Sequence, residues 1–253
     1  MSQPTADDVF SRHYLLPEIG RDGQARLLRA HVALVGVGAV GSRIAELLCR
    51  AGVGRLTLVD SDAVEFSNLH RQTLYTWQDA ERSVPKAEAA RRQLNCVMPT
   101  VQVFPHVARL DITNVGDLLK GADVVADGTD NIETRYVVND WCVMHDVPWV
   151  YAGAVGTKAS VFPVRGKNAC LRCAFPSPPD RQSLPTAADA GVIGAATAIA
   201  AARASTLVMR FILNDPPEPV WETWDVWTGG CSSLPLESLR RAHGNGNCPL
   251  CSG

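Results

Sequence analysis

Apolar residues fall in short runs of about five, spaced by stretches of helical length. The runs are 31–35 (H-V-A-L-V), 55–60 (R-L-T-L-V-D), 101–106, 122–127 (A-D-V-V-A-D) and 147–152. Between them, residues 42–52, 86–95 and 133–145 carry helical patterns. Strands that are apolar along most of their length, alternating with helices, predict a parallel sheet covered on both faces. Residues 1–24 read as an arm followed by a short helix. After residue 155 the pattern changes: a strand at 158–164, a Pro- and Ser-rich loop at 175–185, a long Ala-rich helix at 190–213, and a late strand at 221–227 (W-E-T-W-D-V-W) before a Gly- and Asn-rich tail. The expectation is α/β: a Rossmann-like, mostly parallel sheet flanked by helices. Residues 1–30 form an N-terminal arm and helix, 31–155 the core, and 156–253 a C-terminal part, all within one domain.

Composition narrows the class. With 253 residues, 46% hydrophobic and 20% charged, the chain can bury a sizeable core without disulfides. A net charge of -2 disfavours a general nucleic-acid-binding surface. The first residues lack the apolar core of a signal peptide. The most apolar stretch, 191–202, reads as a buried helix too short to span a bilayer. The expectation is a cytoplasmic chain with no membrane partner and reduced thiols. Only four of the 24 basic residues are lysine, among them Lys86.

Eight cysteines are then informative. Cys49, Cys96 and Cys142 stand alone in apolar or helical stretches and read as small buried hydrophobes. Cys170 and Cys173 form C-L-R-C, and Cys248 and Cys251 form C-P-L-C. Two such knuckles in a reduced compartment supply four thiolates to one tetrahedral Zn²⁺, a closed structural site. The metal would clip the C-terminal extension onto the body of the fold. Redox pairs or unrelated thiols are the alternatives. Cys231, after Gly229-Gly230, has no partner at metal spacing and is either reactive or packed.

The run Gly36-Val37-Gly38-Ala39-Val40-Gly41 follows the first strand and opens a helix. Gly36 permits a tight turn, Gly38 lets backbone approach a phosphate, and Gly41 lets the helix pack close to the strand. Asp60, at the end of the second strand, is placed to accept hydrogen bonds from ribose hydroxyls. The pattern alone suits a nicotinamide-dependent oxidoreductase. The residues that follow favour a triphosphate: Asp62, Asn68, Arg71 and Gln72, then Lys86, then Gly128-Thr129-Asp130-Asn131. Cations neutralise phosphate charge that shifts during transfer, and a carboxylate can hold Mg²⁺. Taken singly, each is also an ordinary surface or capping residue, and Asp130 could cap the helix after it.

The segment 35–86, with G-V-G-A-V-G, L-V-D-S-D, S-N-L-H-R-Q and V-P-K, resembles the ThiF/MoeB family of adenylyltransferases, bacterial relatives of the ubiquitin-activating enzymes. The T-D-N turn and the paired CxxC knuckles extend the resemblance over nearly the whole chain. S-N-L-x-R-Q joined to a downstream P-K is far more specific than the glycine motif. The resemblance implies a homodimer that binds ATP·Mg²⁺ and zinc. It implies adenylation of the C-terminal Gly-Gly carboxylate of a small ubiquitin-like sulfur-carrier protein. Carried over residue by residue, Gly36, Gly38 and Gly41 line the phosphates and Asp60 holds the ribose. Asp62 and Asn68 lie near the phosphates, with Gln72 and Asn131 beside them in the same two motifs. Arg71 and Lys86 stabilise the triphosphate charge, Asp130 binds Mg²⁺, and Arg12 reaches into the partner subunit's site.

The chain departs from the family pattern at Ala187, where many members carry a cysteine. Alanine offers no nucleophile, which excludes a thioester or persulfide at that position. The favoured consequence is a separate sulfur donor acting on the adenylate, with substitution by Cys231 as the alternative. A non-catalytic nucleotide-binding scaffold remains a third possibility beside the adenylyltransferase and the oxidoreductase.

Overall fold

The computed structural model of the chain describes residues 5–166, 169–179, 187–239, 248, 250 and 251. The N-terminal segment carries two helices, α1 (Ala6–Phe10) and α2 (Gly20–Arg29), joined through a 3₁₀ turn at His13–Leu15. The second helix continues beyond the short one expected before residue 24. Five strands follow: β1 (His31–Val35), β2 (Arg55–Val59), β3 (Gln102–His106), β4 (Val124–Asp127) and β5 (Trp149–Val155). They alternate with α3 (Gly41–Arg50), α4 (Trp77–Glu81), α5 (Lys86–Val97), α6 (Val115–Leu119) and α7 (Ile132–Met144). Next come β6 (Lys158–Val164), the short helices α8 (Leu171–Ala174) and α9 (Ala187–Ala190), the long α10 (Gly194–Ile212), and β7 (Val220–Asp225) and β8 (Gly230–Pro235).

All eight strands join one sheet in the order β3-β2-β1-β4-β5-β6-β7-β8. The first five are parallel, and β6, β7 and β8 extend the sheet antiparallel. Period-two alternation explains why the parallel strands read as continuous apolar runs. On one face Val32, Leu34, Leu56 and Leu58 pack with Leu27, Ile44, Leu48, Leu94 and the small residues of α10. On the other, Ala33, Val35, Val59 and Val125 pack with Leu119, Tyr136, Val138 and Cys142. The double cover persists through β6, with Ala159 and Val161 on one face and Phe162 and Val164 on the other, thins at the half-buried β7, and is gone at β8, where every residue is exposed. That strand was absent from the sequence pattern because G-C-S-S-L-P carries no apolar alternation.

α10 runs for 19 residues within the 190–213 helix expected, and as a whole it meets the length and composition of a membrane span, which the 191–202 stretch alone does not. It packs along β5, β6 and α3 and buries Ala196, Ala200, Ala201, Ala204 and Val208. Cys49 and Cys142 are buried as expected. Cys96 is exposed, because it follows Leu94 onto the outer side of α5. The Pro- and Ser-rich loop falls partly, and the Gly- and Asn-rich tail largely, outside the described residues.

The chain leaves β1 toward β2 and β3 on one side and returns to β4 on the other, which opens a crevice at the carboxyl ends of β1 and β4. Backbone contact closes its floor. A Cβ on Gly41 would lie 1.9 Å from the Gly36 carbonyl oxygen, and one on Gly128 would lie 2.6 Å from the Gly41 Cα. Gly36 has φ +80°, and its Cβ would meet the Thr129 nitrogen at 2.8 Å. The two strand-to-helix turns touch only because three residues lack side chains. Gly41→Ala is therefore expected to cost about 3 kcal/mol or more in urea unfolding, with Gly121→Ala, which meets nothing within 4 Å but has φ +75°, as the comparison for backbone strain alone.

Candidate nucleotide-binding site and cysteine cluster

The glycine turn is anchored from two sides. The Asp60 carboxylate accepts from the Val37 amide at 2.7 Å and from the Asp62 amide at 2.8 Å. Burial pushes the Asp60 carboxyl above the usual carboxylate range, and the two amides and the Lys86 charge pull it back. The Tyr75 hydroxyl donates to the Val37 carbonyl at 2.5 Å, and burial pushes its own ionisation up. Among the described residues, the amides of Gly38, Ala39 and Val40 have no hydrogen-bond partner. A Cβ on Gly38 would approach only the Gln72 Nε2, at 3.9 Å, so the turn is open toward solvent there. Free amides at the head of a helix, beside an open glycine, suit an anion.

The predicted residues converge on this turn by chain adjacency. Gln72 is buried beside Gly38, and its Oε1 has no partner. Asn68 closes a 3₁₀ turn, Phe66–Asn68, and its carbonyl receives the amides of Arg71 and Gln72. The Arg71 guanidinium donates to the Ser67 carbonyl at 2.7 Å and lies 2.8 Å from the His70 Nε2. It forms no ion pair among the described residues. Lys86 is buried and pairs with the Asp62 carboxylate at 2.8 Å, while its amide donates to the Asp62 carbonyl. V-P-K is thus held against D-S-D by a short antiparallel bridge, Ala63 to Pro85.

Across the crevice, the Asn131 side chain caps α7 by accepting from the Thr134 amide at 3.2 Å. The capping role open to Asp130 therefore belongs to its neighbour. Asp130 is exposed and makes no hydrogen bond or ion pair among the described residues. Arg12 is exposed on the N-terminal 3₁₀ turn, also with no ion pair there. Cys231 lies on β8, four strands from β4, or about 19 Å at ~4.8 Å per strand. Within one chain this sets it apart from the crevice.

Sequence inspection missed a buried pair beneath the T-D-N turn. Asp127 is fully buried, and its Oδ2 lies 3.0 Å from the Arg135 Nε. Its other oxygen accepts from the Thr129 amide at 2.8 Å and the Thr129 hydroxyl at 2.7 Å. Arg135 also donates to the Thr129 carbonyl, to the Ala152 carbonyl at 3.1 Å and to the Tyr151 hydroxyl at 2.7 Å. Burial drives the Asp127 carboxyl up, against the pull of Arg135 and Thr129. The clue in the sequence was an arginine four residues after Asn131, which puts it one helical turn from the cap. Arg43, on the first turn of α3, was likewise passed over.

The four knuckle cysteines are buried together, with every sulfur within 4.8 Å of the others. Cys170 and Cys248 are 3.8 Å apart, and Cys173 and Cys251 are 3.4 Å apart. A tetrahedral zinc with ~2.3 Å bonds needs sulfur–sulfur edges of about 3.8 Å, so this donor set fits the metal. Hydrogen bonding to Cys173 and Cys251, together with burial, holds the Cys170 thiol far above its usual range. Four thiolates here require a cation. The first knuckle is fixed to α7: the Asn139 Oδ1 accepts from the Leu171 amide at 3.0 Å, and Arg172 pairs with Asp140.

Crevice, glycine turn and triphosphate-type residues define a nucleotide-binding α/β protein. The ThiF family model matches residues 10–250, and the chain belongs to the ThiF family. A sulfur carrier protein ThiS adenylyltransferase of Bacillus subtilis is 35% identical over 243 residues, 96% of this chain and 70% of that protein. A sulfur carrier protein adenylyltransferase of Thermus thermophilus is 38% identical over 214 residues, 82% of this chain and 78% of its own. The crystal structure of E. coli MccB with SeMet MccA superposes with a TM-score of 0.81 at 22% identity, covering 99% of this chain and 76% of that one. That likeness speaks to the fold alone.

Two measurements check the site. Arg135→Met strands a buried carboxylate and is expected to cost roughly 3–5 kcal/mol in urea unfolding, with part of the loss recovered when Asp127→Leu is added. Metal analysis is expected to find about one Zn²⁺ per chain, and Cys170→Ser to abolish it while lowering the melting temperature.

Proposed function

We propose that this chain is an ATP-dependent adenylyltransferase that activates the C-terminal Gly-Gly carboxylate of a ubiquitin-like sulfur-carrier protein. The observation that carries this is the convergence of four segments on one glycine turn: Asp60 on Val37, Gln72 beside Gly38, Lys86 on Asp62, and Gly128–Thr129 against Gly36 and Gly41. An oxidoreductase binding one pyrophosphate has no use for a buried lysine placed this way. The sulfur-carrier substrate rests on the relatives' names, since each is an adenylyltransferase for such a protein.

In this reading the free amides of the turn bind phosphate oxygens, and Gln72 orients toward them. Asp60 offers its remaining lone pairs to the ribose. A carrier carboxylate oxygen attacks the α-phosphorus, the bond to the bridging oxygen breaks, and pyrophosphate leaves. Arg71 and Lys86 neutralise the charge that builds on the leaving group, so no protein nucleophile is required. Asp130 is the residue to hold Mg²⁺, which supplies charge neutralisation at the phosphates when bound. The four cysteines hold zinc, which supplies cohesion between the C-terminal tail and α7.

Two further assignments belong to the same proposal. Arg12, exposed and without an ion pair among the described residues, completes the site of a second copy, which makes the active form a homodimer. Ala187 begins α9, and its side chain lies outside the described residues. Lacking a thiol at that position, the enzyme passes its acyl-adenylate to a separate sulfur donor. ATP–pyrophosphate exchange dependent on a carrier ending in Gly-Gly is the expected activity. Asp130→Ala and Arg71→Ala should each lower it about 100-fold or more with folding retained. Exchange unchanged by either substitution would refute the assignment, as would a thermal shift with NAD and none with ATP.

A further inference from the structure

Arg43 is the second residue after Gly41 in the first turn of α3. A cation there opposes the helix dipole, whose positive end it occupies. Its side chain is half-buried, and its Nε is wholly buried with no hydrogen-bond partner. Among the described residues it forms no ion pair. The nearest acid on its own helix, Glu46, is engaged by Arg50 at 2.9 Å. Side chains on a helix lean toward its N-terminus, the end at which the glycine turn lies.

The opening of α10 shows what surrounds the guanidinium. A Cβ on Gly194 would lie 3.9 Å from an Arg43 terminal nitrogen, 3.9 Å from the Arg71 Cα and 3.5 Å from the His70 carbonyl oxygen. Arg43 thus sits between the heads of two helices, α3 and α10, beside the segment that carries Arg71. The Arg43 guanidinium, set between two positive helix ends and beside the Arg71 backbone, is unfavourably placed unless an anion joins it there. Residue 194, being glycine, leaves the space open.

From this geometry we infer that Arg43 is a further phosphate-binding residue, engaging the β,γ-end of the bound nucleoside triphosphate beside Arg71. The inference rests on the nucleotide reading of the site. It assigns Arg43 to the part of ATP that departs as pyrophosphate, not to the part that stays on the product. Its unpaired state without nucleotide is then a cost removed by binding.

The test is calorimetric titration of ATP, pyrophosphate and AMP into the wild-type chain, Arg43→Gln and Arg43→Lys, together with melting of each without nucleotide. Arg43→Gln is expected to weaken ATP and pyrophosphate about 10- to 100-fold, the size of a lost charged hydrogen bond. AMP should change less than about twofold, since it lacks the phosphates concerned. The nucleotide-free melting temperature should stay equal or rise, and Arg43→Lys should fall between. Wild-type ATP affinity in Arg43→Gln overturns the inference while leaving the site's nucleotide reading intact. Equal losses for ATP and AMP with lower melting overturn it too, as signs of a structural role. A wild-type chain that binds neither ATP nor pyrophosphate overturns the nucleotide reading itself.

Discussion

The structure depends on a contact between bare backbones. Where the turn after β1 meets the turn after β4, Gly36, Gly41 and Gly128 come closer than any side chain permits. That approach lets α3 begin directly over the carboxyl end of the sheet, with the amides of Gly38, Ala39 and Val40 unbonded among the described residues. The same approach brings the T-D-N turn beside the glycine turn, although some 90 residues of chain separate them. Everything that follows chemically needs these two turns in contact. A methyl group at Gly36 or Gly128 would hold them apart, and one at Gly41 would break the glycine turn against the Gly36 carbonyl.

Charge placement follows from that geometry. The crevice keeps its acids tied down: Asp60 by two amides, Asp127 by Arg135 and Thr129, and Asp62 by Lys86. It leaves Arg71, Arg43 and Asp130 without ion-pair partners among the described residues. In the proposed reading, a triphosphate with Mg²⁺ supplies the anion and counter-cation that these groups lack. The buried Asp127–Arg135 pair matters here because it braces the carbonyl and amide of Thr129, the residue just before Asp130. At the far end of α7, Asn139 and Asp140 hold the first cysteine knuckle, so one helix carries both the cap beside the nucleotide crevice and the anchor of the metal clip.

The local signals were legible where one residue sufficed to announce its role. Five parallel strands and the longer helices follow from apolar runs and their spacing, because burial on both sheet faces demands apolar residues in the central strands, whereas the helices of four or five residues leave no such pattern. The glycine motif, S-N-L-H-R-Q, V-P-K and the paired knuckles each carry their chemistry in a few adjacent positions. The misses share a cause. β8 has no alternation because it lies exposed at a sheet edge, and Cys96 was misassigned because a helix exposes one side irrespective of how apolar its residue is. Asp130 and Asn131 could not be told apart as caps, since either side chain reaches the helix head and only the backbone turn selects one.

By itself, then, the sequence determined the α/β layering, the position of the anion-binding turn and the two halves of a tetrathiolate site, since each arises from residues close in the chain. Tertiary structure alone decided which strands are neighbours and that Gly128 serves as floor to Gly41. It also decided that Arg135 neutralises Asp127, that Cys231 stands far from the crevice, and that Arg43 meets Arg71 at the head of α10. Those pairings join segments tens of residues apart, and their energies depend on distance and burial, which exist only once the sheet has closed.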